Sequence, residues 1–100
     1  MKDVFKATIS GRKCQTMRGF YGQISEALRF PDYFGKNLDA LEECLLDLSW
    51  LAEKEVALTI SHRADFLEDE TVENQEFVAE IFVAAVENEG EKQFSLHWKN

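Results

Sequence analysis

Apolar positions along this chain follow two alternating periods. Over residues 4–9, Val4, Lys6 and Thr8 alternate with Phe5, Ala7 and Ile9, and the β-forming composition predicts a strand. Gly11 and two basic residues follow as a turn. Over residues 16–29 the period lengthens. Met17, Phe20, Tyr21, Ile24, Ala27 and Leu28 form one apolar helical stripe, with Thr16 placed as its N-cap. Gly19 and Gly22 each weaken that helix by up to ~1 kcal/mol relative to alanine, and their missing side chains leave room for another element to approach. Phe30-Pro31 ends the helix, because a residue before proline is biased away from helical backbone. The stretch 30–37, FPDYFGKN, is a short aromatic loop in which Gly35 is suited to positive φ. Surface loops are rarely so aromatic, so some of these rings should pack or bind.

Residues 38–50 return to the helical period. Leu38, Leu41, Leu45 and Leu48 form the core stripe with Cys44 beside it, and Asn37 is the natural N-cap. Residues 56–61, VALTIS, read as a second strand, poor enough in charge to be covered on both faces. A short helical turn is expected over 63–69, then a long helix over 71–89. That helix should bury Phe77, Val78, Ile81, Phe82, Ala85 and Val86, turn Glu73, Glu76, Glu80 and Glu87 to water, and stop at Gly90. Residues 93–98, QFSLHW, alternate as a third strand. The order is β-α-α-β-α-α-β. Every strand-to-strand connection contains helix, so the strands should be parallel and the crossovers right-handed. The fold class is therefore α/β: a small three-stranded parallel sheet packed with about four helices. One hundred residues make one domain, 1–100.

Composition narrows the class. The chain is 45% hydrophobic and 30% charged, with one Pro and five Gly, a globular balance rather than a disordered one. No apolar run approaches the ~20 residues that span a bilayer, and the N-terminal residues alternate in polarity with no apolar signal-peptide core. Cytoplasmic location with reduced thiols is the resulting expectation for Cys14 and Cys44. The net charge of −8 is uneven: residues 1–29 carry net +4 and residues 30–100 net −12. Acidity of this size disfavours direct nucleic-acid or anionic-membrane binding and favours a basic partner, although solubility alone also accounts for it.

The motifs of common enzymes are missing: no G-x-S-x-G, Walker loop, Rossmann glycines, H-E-x-x-H or C-x-x-C occurs. No His/Cys/Asp cluster suggests a metal, and no cofactor is called for. A thiol hydrolase pairing Cys44, or Cys14, with His62 can be drawn but has no supporting spacing. The informative segment is 31–50, PDYFGKNLDALEECLLDLSW. On a helix from Leu38, Asp39 and Glu43 stand at i and i+4, Cβ atoms about 5–6 Å apart on one face. Glu42 and Leu46 adjoin them, and Trp50 should lie further along. The helix dipole favours acids in the first turns by about 0.3–1 kcal/mol each, which accounts for Asp39 and part of Glu42. It does not account for an apolar Leu46 and Trp50 beside acids, next to a loop carrying Tyr33 and Phe34. Aromatic anchors within a polar rim are how interface hot spots look.

The run Tyr33-Phe34-Gly35-Lys36-Asn37-Leu38-Asp39-Ala40-Leu41, followed by Glu43, resembles the signature of the barstar family, intracellular inhibitors of secreted microbial ribonucleases. Chain length and element order are similar to that family over nearly the whole chain; outside 31–48 the similarity is one of pattern. The resemblance implies a barstar-like fold and a non-enzymatic inhibitor with no catalytic residues. Its helix and loop would plug the active site of a basic ribonuclease or other nuclease toxin, one to one. It implies ring contact from Tyr33, loop shaping by Gly35 and Asn37, phosphate mimicry by Asp39 and Glu43, and further contacts from Leu46 and Leu48, although Leu48 also fits the core stripe. Phe34, Glu42 and Trp50 complete the expected partner-binding set. Three departures stand out. Glu42 replaces a frequent Trp, Glu43 replaces the shorter Asp, and the region Val83–Val86 is apolar where the family's best-known inhibitors carry an acid. An acidic interaction module of the same fold with a non-nuclease partner is the alternative.

Overall fold

The computed structural model describes residues 3–100. Strand β1 (Val4–Ser10) leads through a 3₁₀ turn (Gly11–Lys13) to helix α1 (Met17–Ala27) and helix α2 (Leu38–Asp47). Strand β2 (Glu55–Ser61) follows, then a second 3₁₀ turn (Arg63–Asp65), helix α3 (Val72–Glu87) and strand β3 (Gln93–Trp98). The three strands form one parallel sheet in the order β1-β2-β3, as the helical crossovers require. The expected number of helices was about four; among the described residues three are α-helices. The segment after β2 makes only the 3₁₀ turn, because Phe66 is extended and Leu67 turns left-handed at φ 55°. Leu67 adopts that backbone while its side chain is fully buried and its N–H donates to Cys14 O at 2.7 Å.

The register explains where the core sits. Phe5, Val56 and Phe94 align across the sheet, as do Ala7, Leu58 and Leu96, and Ile9, Ile60 and Trp98. These rows pack with the inner faces of the helices in one core. The opposite rows carry Lys6, Thr8 and His97, all exposed, beside half-buried Ala57, Thr59 and Ser95. The expectation that β2 is covered on both faces is thus corrected. Successive neighbours joined by crossovers of one hand place their helices on the same side, so the other side keeps small polar residues.

Both anticipated N-caps form: Thr16 Oγ1 accepts from Gly19 N at 3.2 Å and Asn37 Oδ1 from Ala40 N at 2.8 Å. Helix ends were less predictable. α1 stops at Ala27 rather than at Phe30-Pro31, because Arg29 takes a left-handed conformation at φ 55°. Phe30 N then donates to Ser25 O at 2.8 Å and Arg29 N to Glu26 O at 3.3 Å, a Schellman closure without glycine. α3 ends at Asn88, which is extended, and Gly90 takes no positive φ. Phe77 and Val86, expected inside, are exposed. Gly19 does permit a close approach: a Cβ there would lie 2.6 Å from Lys13 O, whereas one on Gly22 would meet nothing within 4 Å.

Candidate partner-binding site on helix α2

Asn37 organises the entrance to α2. Its Oδ1 caps the helix while its Nδ2 donates to Gly35 O at 3.4 Å. Gly35 does not supply the left-handed turn expected of it; Lys36 does, at φ 51°. Gly35 instead leaves room for the cap, since a Cβ there would stand 3.1 Å from Asn37 Nδ2. From this anchored start, Leu41, Cys44 and Leu45 enter the core, and helical phase turns Asp39, Glu42, Glu43 and Leu46 outward, all exposed. Among the described residues no cation pairs with these three acids. Their face offers carboxylate oxygens to solvent or to a partner. Asp32 and Asp47, also exposed, flank it and had not been singled out.

Tyr33 projects from the loop with 72% of its surface exposed. Phe34 does not: it is 9% exposed, which corrects its place among the outward contacts. Its ring meets Tyr21 at 5.8 Å and Phe30 at 4.9 Å between centroids, both edge to face. Phe30 in turn meets Trp50 at 5.8 Å, and Trp50 Nε1 donates to Leu28 O at 2.9 Å. Trp50 is therefore half-buried and turned inward rather than extending the acidic face. The reason is the left-handed Leu48 (φ 51°), which ends α2 at Asp47 and breaks the helical phase before Trp50. Leu48 itself is fully buried. Four rings in a row thus support the loop that presents Tyr33. Phe34 N donates to Pro31 O at 3.0 Å, closing a turn with Asp32 and Tyr33 at its centre, which leaves Tyr33 outward and Phe34 facing in.

One further contact holds the loop beyond α2 and another the far end of α2 itself, and neither had a signature in the sequence. Lys92 Nζ donates to Leu51 O and, at 2.7 Å, to Glu53 O. Asn88 Nδ2 donates to Leu46 O at 3.4 Å, tying α2 to the end of α3. Away from α2 in sequence, Glu70 secures the start of α1. Its carboxylate accepts from Met17 N at 2.8 Å and from Asn74 Nδ2 at 3.0 Å, and both bonds hold its pKa below the usual value.

The two thiols have no nucleophilic setting. Both are buried. Burial pushes Cys14 up to about 11; burial first, then the charges of Glu43 and Asp47, push Cys44 up as well. A thiolate nucleophile needs the opposite shift. His62 Nδ1 lies 3.2 Å from Ser10 Oγ, at the far end of the strands. Among the described residues no three His, Cys, Asp or Glu side chains gather to hold a metal ion, and no helix is long and apolar enough to cross a membrane.

Two comparisons match this picture. A 40-residue stretch is 42% identical to the Bacillus subtilis (strain 168) protein named "Putative ribonuclease inhibitor YrdF", covering 40% of this chain and 44% of that protein. The model of the family described as Barstar (barnase inhibitor) matches residues 4–99. With the parallel three-stranded sheet, the capped α2 and the loop before it, that match over almost the whole chain shows that this protein belongs to the Barstar family.

Proposed function

We propose that this chain is an intracellular inhibitor of a basic microbial ribonuclease or related nuclease toxin, which it plugs one to one with α2 and the Tyr33 loop. The observation that carries this reading is the exposed acidic face of Asp39, Glu42 and Glu43, paired with no cation among the described residues, on a helix fixed at both ends. A nuclease cleft presents Arg, Lys and His to phosphates. Carboxylates on a rigid support can take those same donors through charge-assisted hydrogen bonds, and because the helix is already ordered, less entropy is lost on binding. Tyr33 would lay its ring on the enzyme beside them, with Gly35 and Asn37 shaping the loop and Leu46 adding apolar contact at the far end. Phe34 and Trp50 would contribute from beneath, by holding the loop. Net charge −8 would draw a basic enzyme into encounter, faster at low salt than at high.

The test is titration against a panel of basic microbial ribonucleases, reading residual RNA cleavage. Wild type should abolish one enzyme's activity at equimolar ratio. Glu43→Gln should weaken binding by one to two orders of magnitude, on the order of the 1.5–3 kcal/mol of a hydrogen bond to a charged group, and Glu43→Lys by more. Unchanged inhibition by a folded Glu43→Lys variant would refute the plug.

A further inference from the structure

Most of the large apolar side chains left exposed stand on α3: Val72, Phe77, Val83 and Val86. Three of them fall into a pattern. Val72, Glu76, Ala79, Val83 and Val86 succeed one another by alternating steps of four and three residues, and all five are exposed, Val72 at 67% and Val83 at 54%. That spacing is the seam against which a second helix packs. It serves no internal purpose here, because α3 buries Val78, Ile81, Phe82 and Ala85 on its other side.

The two flanks of the seam differ. On one, Glu73, Glu80 and Glu87 recur every seven residues, all exposed, as a single acidic row. On the other, the surface falls into a groove of about 380 Å³ between α3 and the segment after β2, lined by Ala79, Gln75, Phe82, Phe66 and Trp98. Ala79 belongs to both seam and groove. The groove walls are braced: Trp98 meets Phe66 edge to face at 5.3 Å, and the Arg63 guanidinium lies 5.0 Å from the Trp98 ring centroid. A side chain leaving a helix seated on the seam would find an aromatic recess already formed.

We infer that α3 carries a second docking surface, for an amphipathic helix with an apolar seam and a basic flank. Charge selects this occupant over a second copy of the chain. Antiparallel pairing of two α3 helices would set one Glu73/Glu80/Glu87 row against the other, and like charges at those positions repel. Lys or Arg in that row of the partner would instead pair with all three. The surface is separate from α2. The α2-facing flank of α3 is the one containing Asn88, which reaches Leu46 O, together with Ala84, Ile81 and Phe77 at helical spacing. The seam lies about 150° around the helix from it. Occupation of the seam leaves Asp39 and Glu43 free.

Nuclear magnetic resonance titration with three synthetic peptides tests this. The first has leucines at four-three spacing and lysines on the flanks, the second has glutamates for the lysines, and the third is a scramble of the first that keeps composition and breaks the seam. The lysine peptide should shift amides of Val72–Glu87 and the Trp98 indole, bind at least tenfold more tightly than the other two, and weaken with salt. A Val72→Asp variant, and separately Ala79→Glu, should lose at least tenfold in affinity while keeping the Glu43-dependent inhibition. Equal binding of the scrambled peptide, shifts centred on α2, no saturation at millimolar peptide, or dimerisation of the free chain through α3 in sedimentation would each overturn the inference. Loss of ribonuclease inhibition with peptide binding intact would count against the α2 plug alone.

Discussion

Trp50 is the residue whose role the structure changes most, and its replacement gives a sharp test. Trp50→Phe keeps a ring next to Phe30 but removes the donor that meets Leu28 O at 2.9 Å. A hydrogen bond of this kind contributes about 1 kcal/mol net, and a carbonyl left without its partner in a part-buried position raises the loss to roughly 1–2 kcal/mol. Trp50→Ala also removes the edge-to-face contact with Phe30, about 0.5–1.5 kcal/mol, and opens a cavity, for a total of roughly 3 kcal/mol. For a chain of this length each kcal/mol lowers the melting temperature by about 5 °C. The phenylalanine variant should therefore melt roughly 5–10 °C below wild type. Urea unfolding should show a lower midpoint at unchanged slope. Amide exchange should accelerate in residues 30–37 while the sheet amides keep their protection. Phenylalanine and alanine variants of equal stability, or a phenylalanine variant indistinguishable from wild type, would refute the view of Trp50 as a staple.

Three other substitutions probe the scaffold. Gly19→Ala places a Cβ 2.6 Å from Lys13 O and should destabilise by roughly 1–3 kcal/mol, whereas Gly22→Ala, with nothing within 4 Å, should stabilise α1 by up to ~1 kcal/mol; thermal melts of the pair check both signs. Asn37→Ala removes the cap from α2 and should cost about 1 kcal/mol, with weaker inhibition because the first turn carries Asp39. Glu70 is held ionised by the Met17 N–H and then by Asn74. A depressed carboxylate contributes fully above its unfolded value of about 4.3 and loses its contribution as pH falls through the lower folded value. Wild type and Glu70→Gln should therefore differ in melting temperature near neutrality and converge below about pH 4; a constant difference from pH 7 to pH 3 would refute the linkage.

Local rules were enough to locate the strands and helices. Alternation marked β1 and β3, a run poor in charge marked β2, a lengthened period marked α1, α2 and α3, and Thr16 and Asn37 announced their caps because an N-cap bond is made within three residues of sequence. Exposure of Asp39, Glu42, Glu43 and Leu46 was legible for the same reason: a capped helix with its leucines committed to the core has only one outward face. The ends of α1 and α2 were not legible, because Arg29 and Leu48 take left-handed backbone with no glycine to signal it, and neither were the left-handed turns at Lys36 and Leu67. Each is a turn set by what its neighbours bury.

Three features needed the third dimension. Phe34 and Trp50 read as outward aromatics until Tyr21 of α1 met Phe34 and Phe30 of the loop met Trp50; burial depends on which rings meet, and the chain order does not carry that. The bare face of the sheet follows from the order β1-β2-β3, a long-range pairing that strand composition cannot specify. On α3, periodicity placed Val78, Ile81, Phe82 and Ala85 toward the core, where they are, but put Phe77 and Val86 there too, and both are exposed, so the width of the buried stripe was left open. Packing against β3 and α2 decided it, because only one side of a helix can turn toward a sheet at a time.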